Sequence, residues 1–298
     1  MIIESTSWTD QNAIPEGTLR NLVGTRIPLH HVDVPFVLLW AQKAGCTSLV
    51  SWYFWHAGVF EDARIYKPEQ EGLSIHLYEN QVFKSQTEYK KKLVKKIMGG
   101  APLVNFVRCP YARAYSSFMH INNRNFLRLE RQRIEHVGLK LRKRILRDVF
   151  GSQVGIEKSI SFLEFLVWLN DQEMSHLDPH LRQQWTPLYR LSNVSHFRLE
   201  DFEFVSSMLE RDYKLDNSKA NGGLPAASHH LVKRKISKDR TLKLLAQGVP
   251  LERKAHHQFP EVNRKNVSDT KFGRLIEEIF ALDLEFYDQI PEQQESAF

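Results

Sequence analysis

The sequence predicts an α/β protein with a P-loop-like three-layer fold, in which helices flank a central parallel sheet. Two segments carry this prediction, because in each one an apolar run leads directly into a polar loop and then a helix. These runs are residues 36–40 and 102–108, and residues 194–197 predict a third short strand. Buried strands of parallel sheets are continuous apolar runs, and their alternation with helices is typical of crossover connections.

The length and the charge limit the classes of protein to consider. A chain of 298 residues can bury one large core, and we expect an N-terminal arm at residues 1–33 and a single domain at residues 34–298. The formal net charge of +6 favours an anionic ligand. This charge is too small to imply nucleic acid by itself, so we expect no nucleic-acid partner.

The sequence carries no signal for export or membrane insertion. No apolar run approaches the roughly 20 residues of a membrane span, and the first residues lack the pattern of a signal peptide. The two cysteines supply no disulfide framework and suit a reducing compartment. We therefore expect a cytoplasmic protein, or one of the Golgi lumen if a membrane anchor has been removed.

The loop after the first predicted strand has the features of an anion-binding turn. It reads Gln42-Lys-Ala-Gly-Cys-Thr-Ser48, and a helix is predicted to follow it through about Ala57. A strand, a tight loop and a helix start direct unpaired amide groups and the positive end of the helix dipole to one point. The loop is not a Walker A motif, because Lys43 precedes the glycine and the loop is shorter. An ordinary tight turn with a surface lysine stays open as the alternative.

The next segments lead to the second predicted strand and helix. Residues 73–78 predict a short strand, and residues 86–97 predict an amphipathic helix that Gly99 and Gly100 close. The strand at residues 102–108 follows. Cys109-Pro110 then predicts the start of a helix, because proline is favoured in a first helical turn.

The end of that strand supplies a second set of anion-binding side chains. Arg108 stands where the strand meets the helix, and Arg113 and Ser116 lie three residues apart on one helix face. Two anion sites at neighbouring strand ends suggest a ligand that is phosphorylated at both ends. Surface or core-capping roles for the two arginines stay open as the alternative.

The rest of the chain is predicted to be mainly helical. It contains a basic helical segment, an apolar core segment, a polar stretch, a long loop and a final amphipathic helix, at residues 124–147, 161–169, 178–185, 215–227 and 275–287. The basic segment is interpreted either as a solvated helix face or as a docking surface for an anionic acceptor.

Two motifs together resemble a known family. Gln-Lys-Ala-Gly-Cys-Thr-Ser-Leu at residues 42–49 is followed by Arg-x-Pro-Tyr-x-Arg-x-x-Ser-x-Phe at residues 108–118. This combination resembles the PAPS-dependent sulfotransferases, and more narrowly the carbohydrate sulfotransferases of the sulfotransferase family 2 type. The resemblance extends from about Pro35 to Tyr287, although Gln42 and Cys109 stand where the family usually has proline and aspartate.

The resemblance implies a sulfate donor and the residues that bind it. The donor is PAPS, 3′-phosphoadenosine 5′-phosphosulfate, with no metal expected, because a sulfuryl group carries less negative charge than a phosphoryl group. By resemblance, Lys43 stabilises the leaving phosphate, and the 5′-phosphosulfate lies in a loop made of Lys43, Ala44, Gly45, Cys46, Thr47 and Ser48. Arg108 and Ser116 hold the 3′-phosphate.

The acceptor and the catalytic base are less well defined by the sequence. The acceptor is expected to be a hydroxyl group, on a carbohydrate or another molecule, including anionic ones. A base near the working pH is needed to take its proton. The resemblance places His76 beside the acceptor, and His180 and Glu200 stay open as alternatives.

Two other functions remain to be weighed against sulfuryl transfer. One is a P-loop-type small-molecule kinase, against which the position of Lys43 speaks. The other is a non-catalytic protein that binds polyanions or nucleic acid through the basic segment. Against this second alternative, the anion motifs are predicted at strand ends rather than along one basic face.

Overall fold

The computed structural model describes residues 14–67, 74–123, 125–219, 237–248 and 262–293. The chain forms two compact units, each made of segments that are distant in sequence. The first, which we call the sheet unit, comprises Met1–Val107, Gln184–Ala227 and Asp288–Phe298. The second, the helical unit, comprises Arg108–Gln183 and Ser228–Tyr287. The division into an arm and a single domain stays a prediction.

The sheet unit contains a parallel sheet of three described strands. They are β1 (Val37–Trp40), β2 (Leu103–Val107) and β3 (Val194–Arg198), in the spatial order β1-β2-β3. Leu38 is paired with Val104, which in turn is paired with Ser195. All residues of β1 and β2 are buried, as expected for continuous apolar runs in a parallel sheet. The strands predicted at residues 36–40, 102–108 and 194–197 and the α/β class are confirmed at this level, and the P-loop-like three-layer arrangement stays a prediction.

Helices account for most of the remaining described chain. In chain order they are α1 (Glu16–Thr25), α2 (Cys46–His56), α3 (Phe60–Ile65), α4 (Ser74–Tyr78), α5 (Tyr89–Met98), α6 (Pro110–Ile121), α7 (Asn125–Arg131), α8 (Val137–Phe150), α9 (Phe162–Asn170), α10 (Phe202–Asp212), α11 (Lys238–Ala246), α12 (Arg264–Val267), α13 (Lys271–Ile279) and α14 (Ala281–Asp288). Of these, α1–α5 and α10 belong to the sheet unit. No helix in the described ranges is long and apolar enough to cross a membrane.

The strand predicted at residues 73–78 is wrong. Ser74–Tyr78 is the helix α4, which continues into a π-helical turn at Glu79–Phe83, and Leu73 lies outside the described residues. Ile75 and Tyr78 both pack against the core of the sheet unit. Residues three apart share one face of a helix, whereas in a strand they would point to opposite faces. Packing on one face therefore favours the helix.

Each unit has its own hydrophobic core. In the sheet unit Trp52, Tyr53 and Phe54 of α2 are fully buried in the core. In the helical unit Phe162 and Phe165 of α9 pack in the core, as predicted for the apolar segment 161–169. Ser161 caps α9 in a capping box with Glu164, which satisfies the first amide groups of the helix.

The basic segment is two helices, α7 and α8, and Arg124 lies outside the described residues. A fully solvated face is the wrong interpretation for one of its members, because Arg142 is completely buried. Its guanidinium donates to the backbone oxygens of Ile121, Ile156 and Lys158 and to Asn122 Oδ1, at 2.6–3.1 Å. Burial lowers the pKa of Arg142 to about 10. This arginine joins the loops around α8 rather than meeting a ligand.

Of the last two predicted segments, the long loop agrees with the prediction where it is described, and the final helix differs from it. Of the long loop at residues 215–227, only 215–219 are described, and they are neither helix nor strand. The final helix predicted at residues 275–287 is divided into α13 and α14. The interruption falls at Phe280, which is buried in the core of the helical unit.

Candidate active site

The loop between β1 and α2 reverses the chain within five residues. The amide of Ala44 donates to the backbone oxygen of Ala41 at 3.0 Å. Lys43 and Gly45 both have left-handed backbone conformations, with φ values of 67° and 69°. Glycine adopts this conformation without strain, whereas a lysine there is held by its surroundings. The loop therefore has a defined and partly strained shape.

Gly45 is required by a close approach as well as by its backbone angle. A Cβ atom at this position would lie 2.6 Å from Cδ1 of Leu199, in the turn that follows β3. Gly45 is also the residue that precedes the first turn of α2, and it has no side chain to cap the helix. The first helical amides of Cys46, Thr47 and Ser48 have no partner within the helix, so they are available to an anion.

His76 lies beside this first turn of α2. Its Nε2 atom is 3.2 Å from Oγ1 of Thr47, although the two residues are 29 positions apart in sequence. The Cys46 thiol and the imidazole also influence each other, because each one shifts the pKa of the other. The structure thus brings together Thr47, Cys46 and His76, three of the residues named from sequence. The contact depends on α4 being a helix and not the predicted strand.

Two residues behind His76 were missed in the sequence. Nδ1 of His76 is 3.1 Å from Oε2 of Glu79, and the second carboxylate oxygen, Oε1, is 2.5 Å from Nζ of Lys84. Glu79 is 1% exposed. The spacing His76-x-x-Glu79 would have indicated this pair if the segment had been read as a helix, because residues three apart then face each other.

The charges around His76 shift the pKa values of its neighbours. Burial lowers the pKa of His76, but its hydrogen bonds to Cys46 and Glu79 outweigh this effect and raise the pKa to about 10. Burial raises the pKa of the Cys46 thiol, but His76 and the charge of Lys43 lower it overall. Burial likewise raises the pKa of Glu79, and Lys84 and His76 more than compensate, so this carboxyl stays ionised.

The second predicted anion motif begins the helical unit. Arg108 is half-buried and follows the last residue of β2 in the chain, and Pro110 begins α6. Arg113 is 1% exposed, and its guanidinium lies 3.9 Å from Oδ2 of Asp283. This buried ion pair favours the core-capping interpretation of Arg113. Ser116 is half-buried on the same helix, and the donor-binding roles of Arg108 and Ser116 stay predictions.

His180, the second candidate base, also has an acidic partner. Its Nδ1 atom is 2.7 Å from Oδ1 of Asp178, and its ring stacks on His120 with centroids 4.2 Å apart. The hydroxyl of Ser117 donates to the backbone oxygen of His180 at 2.6 Å, which joins this loop to α6. His180 belongs to the helical unit, while His76 and the loop at residues 41–45 belong to the sheet unit.

The third candidate base is placed less favourably. Glu200 is exposed, in the 3₁₀ turn Leu199–Asp201. Within the described ranges, no group of three or more His, Cys, Asp or Glu residues could hold a metal ion.

Comparison with protein families gives one match. A model described as "Sulfotransferase family" matches residues 35–288, which is most of the chain and includes both anion motifs. Searches among curated proteins and among solved structures found no match.

Proposed function

The chain belongs to the sulfotransferase family and is a sulfotransferase, and on this premise we propose that it transfers the sulfuryl group of PAPS to a carbohydrate hydroxyl. Family membership favours this reaction over the kinase and the non-catalytic alternatives. The observation that carries the proposal is the 3.2 Å contact between His76 Nε2 and Thr47 Oγ1, directly after the loop at residues 41–45. It brings a basic side chain to the first turn of α2, where the 5′-phosphosulfate is proposed to bind.

The donor is held by charge and by amide groups in this proposal. The amides of Cys46, Thr47 and Ser48 and the start of α2 attract the 5′-phosphate. Lys43 stabilises the charge that develops on the bridging oxygen as the sulfur–oxygen bond breaks. Arg108 and Ser116 bind the 3′-phosphate and so distinguish PAPS from nucleotides without it.

His76 is the proposed general base. Its Nε2 atom accepts the proton of the acceptor hydroxyl while the new oxygen–sulfur bond forms, and 3′-phosphoadenosine 5′-phosphate leaves. Only the deprotonated imidazole can accept this proton. The raised pKa of His76 makes that form a stronger base, but a smaller fraction of the protein carries it at neutral pH. The reaction is therefore expected to accelerate as the pH rises above neutrality.

The acceptor class rests on the carbohydrate branch of the family that the motifs resemble. Family membership by itself implies a hydroxyl-bearing acceptor. The net charge of +6 is compatible with an acidic carbohydrate. A cytoplasmic location is part of the same proposal.

The test is a titration with the product nucleotide followed by a transfer assay. 3′-Phosphoadenosine 5′-phosphate at 100 times its Kd should raise the free energy of unfolding by about 2.7 kcal/mol. Adenosine 5′-phosphate, which lacks the 3′-phosphate, is the matched control and should stabilise the protein less. PAPS with radiolabelled sulfate should then label members of a panel of neutral and acidic glycans without added magnesium.

Three results would contradict the proposal. Equal stabilisation by the two nucleotides would show that the protein does not recognise the 3′-phosphate. Transfer that occurs only with magnesium would overturn the donor chemistry. Labelling of another hydroxyl compound, with no glycan labelled, would overturn the acceptor class.

A further inference from the structure

We propose that Glu79 and Lys84 are positioning residues for His76, with Glu79 holding the proton on Nδ1 and Lys84 holding Glu79. Nε2 is then the nitrogen left to accept the proton of the acceptor hydroxyl. This inference rests on the proposed role of His76 as the base. It adds two residues, outside both sequence motifs, that the reaction would require.

The first step of the argument is the donor and acceptor balance at Glu79. An ionised carboxylate can only accept hydrogen bonds, so at 3.1 Å from Oε2 the Nδ1 atom of His76 must carry a proton. In the neutral imidazole only one ring nitrogen is protonated, so a proton on Nδ1 leaves Nε2 unprotonated. Nε2 is the nitrogen that lies 3.2 Å from Oγ1 of Thr47, in the first turn of α2.

The second step is the burial of the carboxylate. The Glu79 side chain is 2% exposed and that of Lys84 is 8% exposed, and a buried charge is costly unless it is paired. Lys84 Nζ takes the oxygen that His76 does not use, at 2.5 Å. The two contacts leave the carboxylate with one partner for each oxygen, so its orientation is determined.

The third step is the backbone between the two residues. Residues five apart in a regular α-helix lie about 140° apart around the axis, at 3.6 residues per turn. Glu79–Phe83 is instead a π-helical turn, in which the amide of Lys84 donates to the backbone oxygen of Glu79 at 2.9 Å. Such turns are rare and occur often at functional sites. Here the wider turn lets Lys84 reach the carboxylate five residues before it.

Lys84 also connects Glu79 to β1, the strand that precedes the loop at residues 41–45. Its Nζ atom lies 5.3 Å from the centre of the Trp40 ring, and Trp40 is the last residue of β1. Among the described residues, Cys46 of α2 and Glu79 act directly on the titration of His76, while Lys43 acts on Cys46 and Lys84 acts on Glu79. A purely structural ion pair would affect stability without affecting which ring nitrogen carries the proton.

The test uses the double variant Glu79→Gln/Lys84→Met, which removes both charges of the buried Glu79–Lys84 ion pair together. Nitrogen-15 spectra of the His76 ring, recorded up to alkaline pH, report its pKa and its neutral tautomer. In the wild type the neutral ring should carry its proton on Nδ1, and in the double variant the two tautomers should mix. The turnover of PAPS, with a glycan acceptor or with water, should fall roughly 10- to 100-fold.

Two further measurements and a control variant separate positioning from folding. The acid limb of kcat should move to lower pH in the double variant, because the carboxylate that raises the pKa of His76 is gone. The affinity for 3′-phosphoadenosine 5′-phosphate should not change. Glu88→Gln is the matched control, since Glu88 is an exposed glutamate paired with Lys91 at 2.7 Å, and it should change none of these quantities.

The outcomes distinguish this inference from the proposed function. If His76→Ala keeps its turnover, the proposed base itself is wrong. If His76→Ala is inactive while the double variant keeps the wild-type kcat and acid limb, only the positioning role is wrong. Should the double variant fail to fold, the wild-type spectrum still decides, because a neutral His76 with its proton on Nε2 would overturn the inference.

Discussion

Lys43 offers a test in which two variants are expected to differ in stability but to lose turnover equally. With φ at 67°, this lysine has a left-handed backbone that costs a residue with a Cβ atom roughly 1–2 kcal/mol. Glycine at the same position avoids this cost but loses roughly 0.4–1 kcal/mol through the greater freedom of the unfolded chain. Lys43→Gly should therefore be more stable than Lys43→Ala by about 1 kcal/mol, which corresponds to roughly 2–4 °C in Tm.

The same two variants should be equally impaired in catalysis. Both lose the ammonium group, so their comparison isolates the effect of the Cβ atom on stability. Loss of one hydrogen-bond donor that stabilises the leaving group typically lowers kcat by a factor of about 10²–10³. Binding of 3′-phosphoadenosine 5′-phosphate should weaken only mildly, because the amides of α2 remain.

The assays are thermal unfolding, calorimetry with the product nucleotide, and sulfate transfer from PAPS. Lys214 is the matched control, because it is exposed, has φ at 54° and follows α10 in the sheet unit. Lys214→Gly should exceed Lys214→Ala in stability with turnover unchanged. If Lys43→Ala is at least as stable as Lys43→Gly, the loop is not strained at this residue. Turnover near the wild-type value in either Lys43 variant would refute its role at the donor.

The other residues of the site give three further predictions. Arg108→Ala should weaken the binding of 3′-phosphoadenosine 5′-phosphate by about 1.5–3 kcal/mol, or roughly 10- to 100-fold in Kd, with little effect on adenosine 5′-phosphate in calorimetry; retained discrimination would place the 3′-phosphate elsewhere. His76→Ala should lose most of its kcat with donor binding intact, and the wild-type kcat should rise with pH along a limb above 6.5 and towards 10, since the deprotonated ring is the active form. A limb that survives in His76→Ala and disappears in His180→Ala would move the base to His180. Gly45→Ala should lower both Tm and donor affinity, because its Cβ atom would be 2.6 Å from Leu199; normal nucleotide binding would argue against the loop as the donor site.

The pH prediction differs from the one that the sequence alone supports. An isolated histidine titrates near 6.5, and the sequence contains no signal for a different value at position 76. The structure gives His76 an ionised neighbour, Glu79, and a thiol neighbour, Cys46, both of which favour the imidazolium ion. The acid limb of activity is therefore expected at higher pH than for an unperturbed histidine.

The strands β1–β3, the loop at residues 41–45 and the family could all be predicted from local sequence. An apolar run such as residues 37–40 can be satisfied only by burial on both faces, and the loop at residues 41–45 needs a glycine where the chain turns. These requirements act within about ten residues, so each is visible in one stretch of sequence. The same holds for the capping box at Ser161 and for Pro110 at the start of α6.

The environment of the candidate base was decided by tertiary structure. Whether residues 74–78 form a helix or a strand depends on which surface receives Ile75 and Tyr78, and that surface is the core built by α2 and its neighbours. Only as a helix does this segment face His76 towards Thr47 and place Glu79 behind it. The buried positions of Arg113 and Arg142 have the same origin, because their partners, such as Asp283 and the backbone of Lys158, are remote in sequence. Local sequence thus indicated the loop at which we propose that an anion binds, whereas the proton chemistry beside it depends on burial and on charges that meet only when the chain is folded.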